Sequence, residues 1–283
     1  MIDLHTHSTA SDGTFTPAEL VAAAGQADLD AFAITDHDTL QGYEEAAPHA
    51  SSAGMTLLCG IELSTKLQSP AGRPKTVHLL GYFFRPPSAE FRDWIHSQQQ
   101  ARHDRNVRLA ARLQELGVNI TIEEVKAIGR SMAGRPHFAK LMVEKRYVST
   151  TKEAFDKYLD EKAQAYVDKE EPAVAEGIRR IRDGGGIASL AHPVRLHRFG
   201  PQEEDLIRQL AKMGLQAIEA YHSDHTDRHE ERYQHLARCY ALAVTGGSDF
   251  HGDNKPEVKL GTGKNNNVAV PKKVLERLRM LSR

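Results

Sequence analysis

The sequence predicts an α/β protein whose main sheet is largely parallel, either a closed barrel or a doubly wound sheet, with a helical segment inserted into it. Three observations carry this. Short apolar runs alternate with helix-like segments along most of the chain, as in strand-helix-strand units. The runs are nearly continuous in apolar residues rather than alternating, as expected of strands covered on both faces. Between about Phe91 and Asp168 the alternation stops and only helical patterning is left. At 283 residues, the chain has room for one substantial core and a small inserted domain.

The elements follow in order. Ile2–Leu4 opens the sheet, and Thr16-Pro17-Ala18-Glu19 then offers a capping box with proline at the first helical position, starting a helix to about Ala27. Ala31–Ile34 is the second strand, followed by a helix over 39–53 and a third strand at Leu57–Ile61. The segment from Gln68 to Pro74 reads as a turn-rich loop, near the site if Glu62 ends its strand, ahead of a strand at Val77–Phe84. After the insert come a helix over 172–183, a strand at Ile187–Leu190 and a helix from Gly200-Pro201-Gln202-Glu203 to near Gly214. Ala217–Ala220, a helix over 227–239, Leu242–Val244 and a basic last helix at Pro271–Arg283 complete the chain. Residues 1–94 and 166–283 are thus assigned to the barrel and 95–165 to the insertion.

Net charge is −1, which argues against a nucleic-acid-coating or membrane-surface protein. The insert departs from this balance. Residues 95–165 hold 13 Lys+Arg and 9 Asp+Glu, a net of +4, leaving −5 for the rest. A basic insert in an acidic, histidine-rich barrel suggests that the barrel holds cations and the insert helps hold an anion. Cys59 and Cys239 are far apart and read as reduced packing residues. No apolar run approaches a membrane span, and the first strand begins almost at Met1. The expectation is a cytoplasmic protein with no membrane contact and no obligate protein partner.

Residues with metal-ligand chemistry sit close to one strand after another. His5-Thr6-His7 ends the first, with Asp12 soon after, and Thr35-Asp36-His37-Asp38 ends the second. Glu62 ends the third, the fourth carries His78 near its beginning, and Ala191-His192-Pro193 ends the fifth. The last is followed by Gly247-Ser248-Asp249-Phe250-His251. In a parallel barrel the carboxyl ends of the strands meet on one face, and His-x-His in an extended strand puts both imidazoles on one side. Six histidines and three carboxylates (His5, His7, His37, His78, His192, His251, Asp12, Glu62, Asp249) exceed what one ion needs, so two or three divalent cations are implied. Imidazole and carboxylate without thiolate suit Mn²⁺, Zn²⁺ or Fe²⁺ better than a structural zinc.

These ordered motifs, from Asp3-Leu4-His5-Thr6-His7-Ser8 to Gly247-Ser248-Asp249-Phe250-His251, resemble the polymerase and histidinol phosphatase (PHP) family over the whole chain apart from the insert. The resemblance implies a distorted (β/α)₇ barrel with a trinuclear metal site, Mn²⁺ being the first choice. It implies one ion on His5, His7, Glu62 and Asp249, and a second, bridged by Glu62, on His78 and His192. A third would sit on Asp12, His37 and His251, three residues that also face the substrate. Asp12 is histidine in some members. The Asp12 form is similar to the branch acting on nucleotides, with phosphatase activity on nucleoside 3′,5′-bisphosphates and exonuclease activity on short RNAs. In the insert, Arg102-His103-Asp104-Arg105 and Gly134-Arg135-Pro136-His137 resemble that branch's phosphate-binding segments. Arg102 and Arg105 share a helix face, and guanidinium forks suit phosphate. Arg102, His103, Arg105 and Arg135 are therefore expected to bind substrate, with His137 a weaker candidate.

Three rivals remain. Asp12 and the insert speak against histidinol-phosphate phosphatase, and the carboxylate Glu62 in the bridging role speaks against an amidohydrolase. A metal-binding module without activity is disfavoured because all nine ligand positions are filled. His222-Ser223-Asp224-His225 with His229 and His235 reads as a solvated helix face, and Arg195 as a minor candidate for phosphate. Gly184-Gly185-Gly186 reads as a helix end rather than a nucleotide cradle.

Overall fold

The computed structural model describes residues 1–69, 72–168 and 171–282. The chain runs β1 (Ile2–Thr6), α1 (Pro17–Gln26), β2 (Ala31–Ile34), α2 (Gln41–Ser52), β3 (Thr56–Ser69) and β4 (Gly72–Phe83). Helices α3 (Ala89–Glu115), α4 (Ile122–Gly129), α5 (Arg135–Glu144) and α6 (Thr151–Ala154) follow without a strand between them. Then come α7 (Val174–Asp183), β5 (Ile187–Leu190), α8 (Pro201–Lys212), β6 (Ala217–His222), α9 (Asp227–Cys239) and β7 (Ala243–Gly247). A small pair, β8 (Val258–Lys259) and β9 (Gly263–Lys264), precedes α10 (Lys273–Leu281).

The fold is a distorted seven-stranded α/β barrel with inserted helices. The strands lie in sequence order from β1 to β7. Closure comes from a parallel bridge between Thr6 and Phe250, with His7 N donating to Phe250 O at 2.9 Å and Asp249 N to His5 O at 2.8 Å. Burial on both faces explains the continuous apolar runs. In β2, Ala31 and Ala33 join one buried cluster with Ile2, Leu4, Leu80 and Tyr82. Phe32 and Ile34 join another, with Leu20, Val21 and Ala24 of α1 and Ala46 of α2. Helix α1 begins as expected, Thr16 and Glu19 forming a reciprocal capping box ahead of Pro17.

One expectation needs correcting. β4 is antiparallel to both β3 and β5, whereas the other four pairings are parallel. β3 ends at Ser69 and β4 starts at Gly72, a link far too short for a parallel crossover. The segment read as a loop from Gln68 to Pro74 is therefore the tip of a long hairpin, with Pro70 and Ala71 outside the described residues. Leu63, Leu67 and Val77 are buried along this ribbon while Lys66 is half-exposed, so its polar alternation hid it among the continuous runs.

Two compact units result, Met1–Asp93 with Pro172–Arg283, and Trp94–Glu171. The second unit ends at Glu171, six residues beyond the expected 165, and Val167 in that stretch belongs to its core. That core gathers Leu109, Leu113, Ile120, Val125, Phe138 and Met142. In the first unit, the last helix has a definite packing role. Val274 and Leu278 join the cluster of Ile2, Leu4 and Tyr82, and Val270 bridges to Ile2. Leu278→Ala should therefore destabilise the fold by roughly 2–5 kcal/mol. The readout is a lower urea midpoint at unchanged slope; a midpoint like the wild type's would remove α10 from the core.

Candidate metal centre

The nine expected residues lie at one end of the barrel. His5 is on β1 with His7 just after it, His37 follows β2, His192 follows β5, and Asp249 and His251 follow β7. Glu62 and His78 lie inside their strands; His78 stood near the start of the expected strand because the described β4 begins earlier, at Gly72. In the β3–β4 register Ser64 pairs with His78, so His78 is the diagonal neighbour of Glu62 on the same face. Its Nδ1 lies 2.8 Å from Glu62 Oε1. His192 Nε2 lies 2.8 Å from the same oxygen. The other oxygen, Oε2, faces Nε2 of His7, His5 and His37 at 3.1, 3.3 and 3.4 Å. Glu62 is the centre of the cluster.

Three overlapping groups offer ligand atoms that all fall within 4.8 Å of one another: His5, His7, Glu62 and Asp249; His37, Glu62 and His78; and His7, Asp12, His37 and His251. Their partners aim them. Asp36 Oδ1 accepts from Ser8 N (2.8 Å) and Ser11 Oγ (2.5 Å), shaping the turn that carries His7 to Asp12. His251 Nδ1 lies 2.8 Å from Asp249 O, leaving Nε2 facing Asp12 at 3.4 Å. Asp38, His192 and Asp249 have positive φ of 52°, 26° and 58°, the backbone strain that collects where a fold over-determines its functional residues.

This arrangement fits divalent cations. Among the described residues His7 Nε2 is buried without a hydrogen bond although Glu62 Oε2 is 3.1 Å away, so the nitrogen and the oxygen aim at a common point rather than at each other. Buried imidazoles and carboxylates with no sulfur in reach are a hard-to-borderline donor set. Burial works against charge on Glu62, yet His37, His78 and His5 hold its carboxyl well below the usual range. Asp249 is likewise held low against burial, chiefly by His5. Burial opposes charge on His7 too, but the carboxylates of Asp249, Glu62 and Asp12 beside it raise it to about 9. Burial alone dominates at His37 and His192, pushed down to about 3 and about 4.

The metal-free cluster thus carries a proton on His7 at neutral pH, and a cation must displace it. Binding should release protons below pH about 9, and apparent affinity should fall as pH falls. Calorimetric titration with Mn²⁺ in buffers of different ionisation enthalpy reads the release directly. Equal heats in all buffers would show that no proton leaves.

Two residues of β6 lie in the same cluster without having been expected there. Glu219 is fully buried with Oε1 2.9 Å from His5 Nδ1. His222 is buried with Nε2 3.5 Å from Asp249 Oδ2. β6 runs to His222, two residues beyond the expected end, so the run read as a solvated helix face begins inside the barrel mouth. His222 and His225 are buried, and only His229 and His235 lie on the outer part of α9. A signal existed: Glu219 is a carboxylate inside an apolar run, and His222 follows that run as His7 and His192 follow theirs. Arg195 is held by Asp224 Oδ2 (2.6 Å) and Asp249 Oδ2 (2.7 Å). Cys59 is buried as expected, but Cys239 is exposed, its Sγ 3.5 Å from His235 Nε2.

In the helical unit, Arg102, His103 and Arg105 lie on α3, and Arg135 and His137 in the first turn of α5. Arg105 is 3% exposed, and its Nε and Nη1 have no hydrogen-bond partner among the described residues. Burial, then Arg102 and Arg135, bring its pKa down to about 10. Arg135 Nη1 donates to Leu159 O at 3.3 Å, and its guanidinium lies over the Tyr166 ring at 5.8 Å. His103 Nδ1 is also buried without a hydrogen-bond partner among the described residues. His137 Nδ1 accepts from Gly134 N at 3.2 Å.

The sequence profile of the PHP domain matches residues 3–257. The chain belongs to the PHP family. It is a metal-dependent phosphoric ester hydrolase of that family. Its relatives include a 5′-3′ exoribonuclease of Haemophilus influenzae, 31% identical over 88% of this chain and 89% of that protein. A 3′,5′-nucleoside bisphosphate phosphatase of Chromobacterium violaceum is also 31% identical, over 88% and 87%. A phosphoribosyl 1,2-cyclic phosphate 1,2-diphosphodiesterase of Eggerthella lenta is 30% identical over 88% and 94%. Among solved structures, a protein of Bifidobacterium adolescentis assigned as a metal-dependent phosphoesterase superposes with a TM-score of 0.75 at 29% identity, covering 99% and 95% of the two chains. No helix among the described residues of this PHP protein is long and apolar enough to cross a membrane.

Proposed function

We propose that this PHP phosphoesterase removes the 3′-phosphate of nucleoside 3′,5′-bisphosphates, giving nucleoside 5′-monophosphate and phosphate. The observation that carries this reading is Arg105, a buried guanidinium with two unpartnered donors beside two more arginines. Buried donors left unpaired are costly, and the three guanidinium groups repel one another with Glu171 as a neighbouring carboxylate that offsets part of this. A phosphate dianion meets both needs with charge-assisted, forked hydrogen bonds. A bisphosphate carries a phosphate beyond the one hydrolysed, which a single-phosphate ester lacks.

His5, His7, Glu62 and Asp249, then His78 and His192 with Glu62, then Asp12, His37 and His251 are the residues that hold two or three divalent cations, with Mn²⁺ as the first to test. Such cations supply Lewis-acid polarisation of a phosphoryl oxygen and acidify water. Asp12, whose side chain is 39% exposed, with His37 and His251 forms the open part of the cluster that receives the scissile phosphate. Arg102, Arg105, Arg135 and His103 hold the 5′-phosphate and thereby orient the nucleotide.

A second reading, release of nucleotides from the 5′ end of short RNA, is favoured by relatives that bear the exoribonuclease name. Product formation by the Mn²⁺-loaded protein separates the readings. Substrates are adenosine 3′,5′-bisphosphate, a short 5′-phosphorylated RNA, phosphoribosyl 1,2-cyclic phosphate and histidinol phosphate. The bisphosphate should be preferred, with its 5′-phosphate left on the product. Higher kcat/KM on RNA would make the protein a nuclease, and preference for either remaining substrate would reject a nucleotide clamp in the insert.

A further inference from the structure

None of the nine expected ligands comes from β6, yet β6 places two polar side chains directly against them. Glu219 touches two of the ligands at once. Its Oε1 lies 2.9 Å from His5 Nδ1, and its Oε2 accepts from the backbone N of His192 at 2.6 Å. His192 has φ of 26°, a conformation that persists only where surrounding contacts impose it. A carboxylate beside Nδ1 selects the tautomer with hydrogen there and leaves the lone pair on Nε2. His5 Nε2 is the atom that faces Asp249 Oδ1 at 3.5 Å and Glu62 Oε2 at 3.3 Å.

His222 could seem to make Glu219 part of a fourth cation site, since His5, Glu219 and His222 also gather within 4.8 Å. Hydrogen bonding excludes this. Asp224 N donates to His222 Nδ1 at 3.0 Å, so the neutral ring carries its hydrogen on Nε2, towards Asp249 Oδ2 at 3.5 Å. The ring offers a donor where a cation needs a lone pair. Arg195 and Lys255 reach the same Asp249 oxygen, each at 2.7 Å, which leaves Oδ1 for the ligand group.

We infer that Glu219 is a positioning residue: it holds His5 as the Nδ1–H tautomer and clamps the His192 peptide. In doing so it sets how tightly the ion shared by His5, His7, Glu62 and Asp249 is bound. β6 then aims ligands that β1 and the segment after β5 contribute.

The test is Glu219→Gln, read by metal binding rather than turnover, so the result is independent of which phosphoester is the substrate. Glutamine keeps the volume, but its single carbonyl can accept from His5 or from His192 and not both, and its NH₂ meets the other N–H. Competition with a chelator should show the tightest Zn²⁺ bound about 10- to 100-fold more weakly, with a shifted visible spectrum in the Co²⁺ form. Wild-type affinity and an unchanged Co²⁺ spectrum would overturn the assignment, since a space-filling role is met equally well by glutamine. A measurement on the wild-type chain guards against a variant that does not fold. In the Zn²⁺-loaded, ¹⁵N-labelled protein, ring-nitrogen shifts should place the His5 hydrogen on Nδ1. Finding it on Nε2 would overturn the inference without any substitution.

Discussion

Glu62→Gln should abolish phosphoester hydrolysis and strip the protein of most of its bound metal. Both oxygens of Glu62 are committed: Oε1 to His78 and His192, each at 2.8 Å, and Oε2 to the Nε2 atoms of His5, His7 and His37. Glu62 is also the one residue shared by the group containing Asp249 and the group containing His78. The substitution keeps the shape, removes a negative charge from a fully buried position, and turns one lone-pair-bearing oxygen into an NH₂ that points at imidazole nitrogens. Cation stabilisation of a phosphoryl transition state is worth several kcal/mol, so turnover should fall by at least about 10³-fold. Metal analysis after dialysis should show the loss alongside an unchanged far-ultraviolet spectrum. Near-normal turnover at saturating Mn²⁺ would remove Glu62 from the bridging role.

Arg135→Ala should weaken nucleoside bisphosphates far more than a small synthetic phosphoester. The guanidinium lies over Tyr166, tied to Leu159 O, beside the buried Arg105. Hydrogen bonds to charged partners are worth about 1.5–3 kcal/mol, which corresponds to a loss of roughly 10- to 100-fold in kcat/KM for a substrate that uses this arginine. A one-phosphate synthetic ester has no group to place there and should change little. Arg105→Ala should behave similarly, with an added cost to folding because the side chain is buried. Equal losses on both substrates would count against the helical unit as a nucleotide clamp and in favour of a role in stability.

The strand-end motifs were legible because barrel topology makes them so. His5 and His7, His37, His192, Asp249 and His251 each follow a run whose apolar continuity marks a doubly covered strand, and parallel strands bring such ends together whatever the loops do. His78 could be named but not placed. Its place beside Glu62 made sense only once β4 proved antiparallel, a consequence of the short link between Ser69 and Gly72. The same hairpin hid the outer halves of β3 and β4, since half-exposed ribbon alternates where buried strand does not. The insert was plain as helix, but its end was not, because Val167 looks like a linker residue until the core it fills is seen.

Local sequence alone therefore determined the alternation of elements, the capping of α1, the strand-end ligands and the basic character of the insert, all of which depend on residue type and short spacing. Tertiary structure alone decided which donors face one another and which merely support them. Glu219 and His5 are 214 positions apart, and no periodicity links them. That His222 Nδ1 accepts a hydrogen bond, and so offers no lone pair to a cation, depends on a backbone N–H two residues away. That Arg105 is buried with unpartnered donors depends on the packing of α3 in its own unit. Hydrogen-bond direction and burial are properties of the closed fold, and they separate a ligand from the residue that aims it.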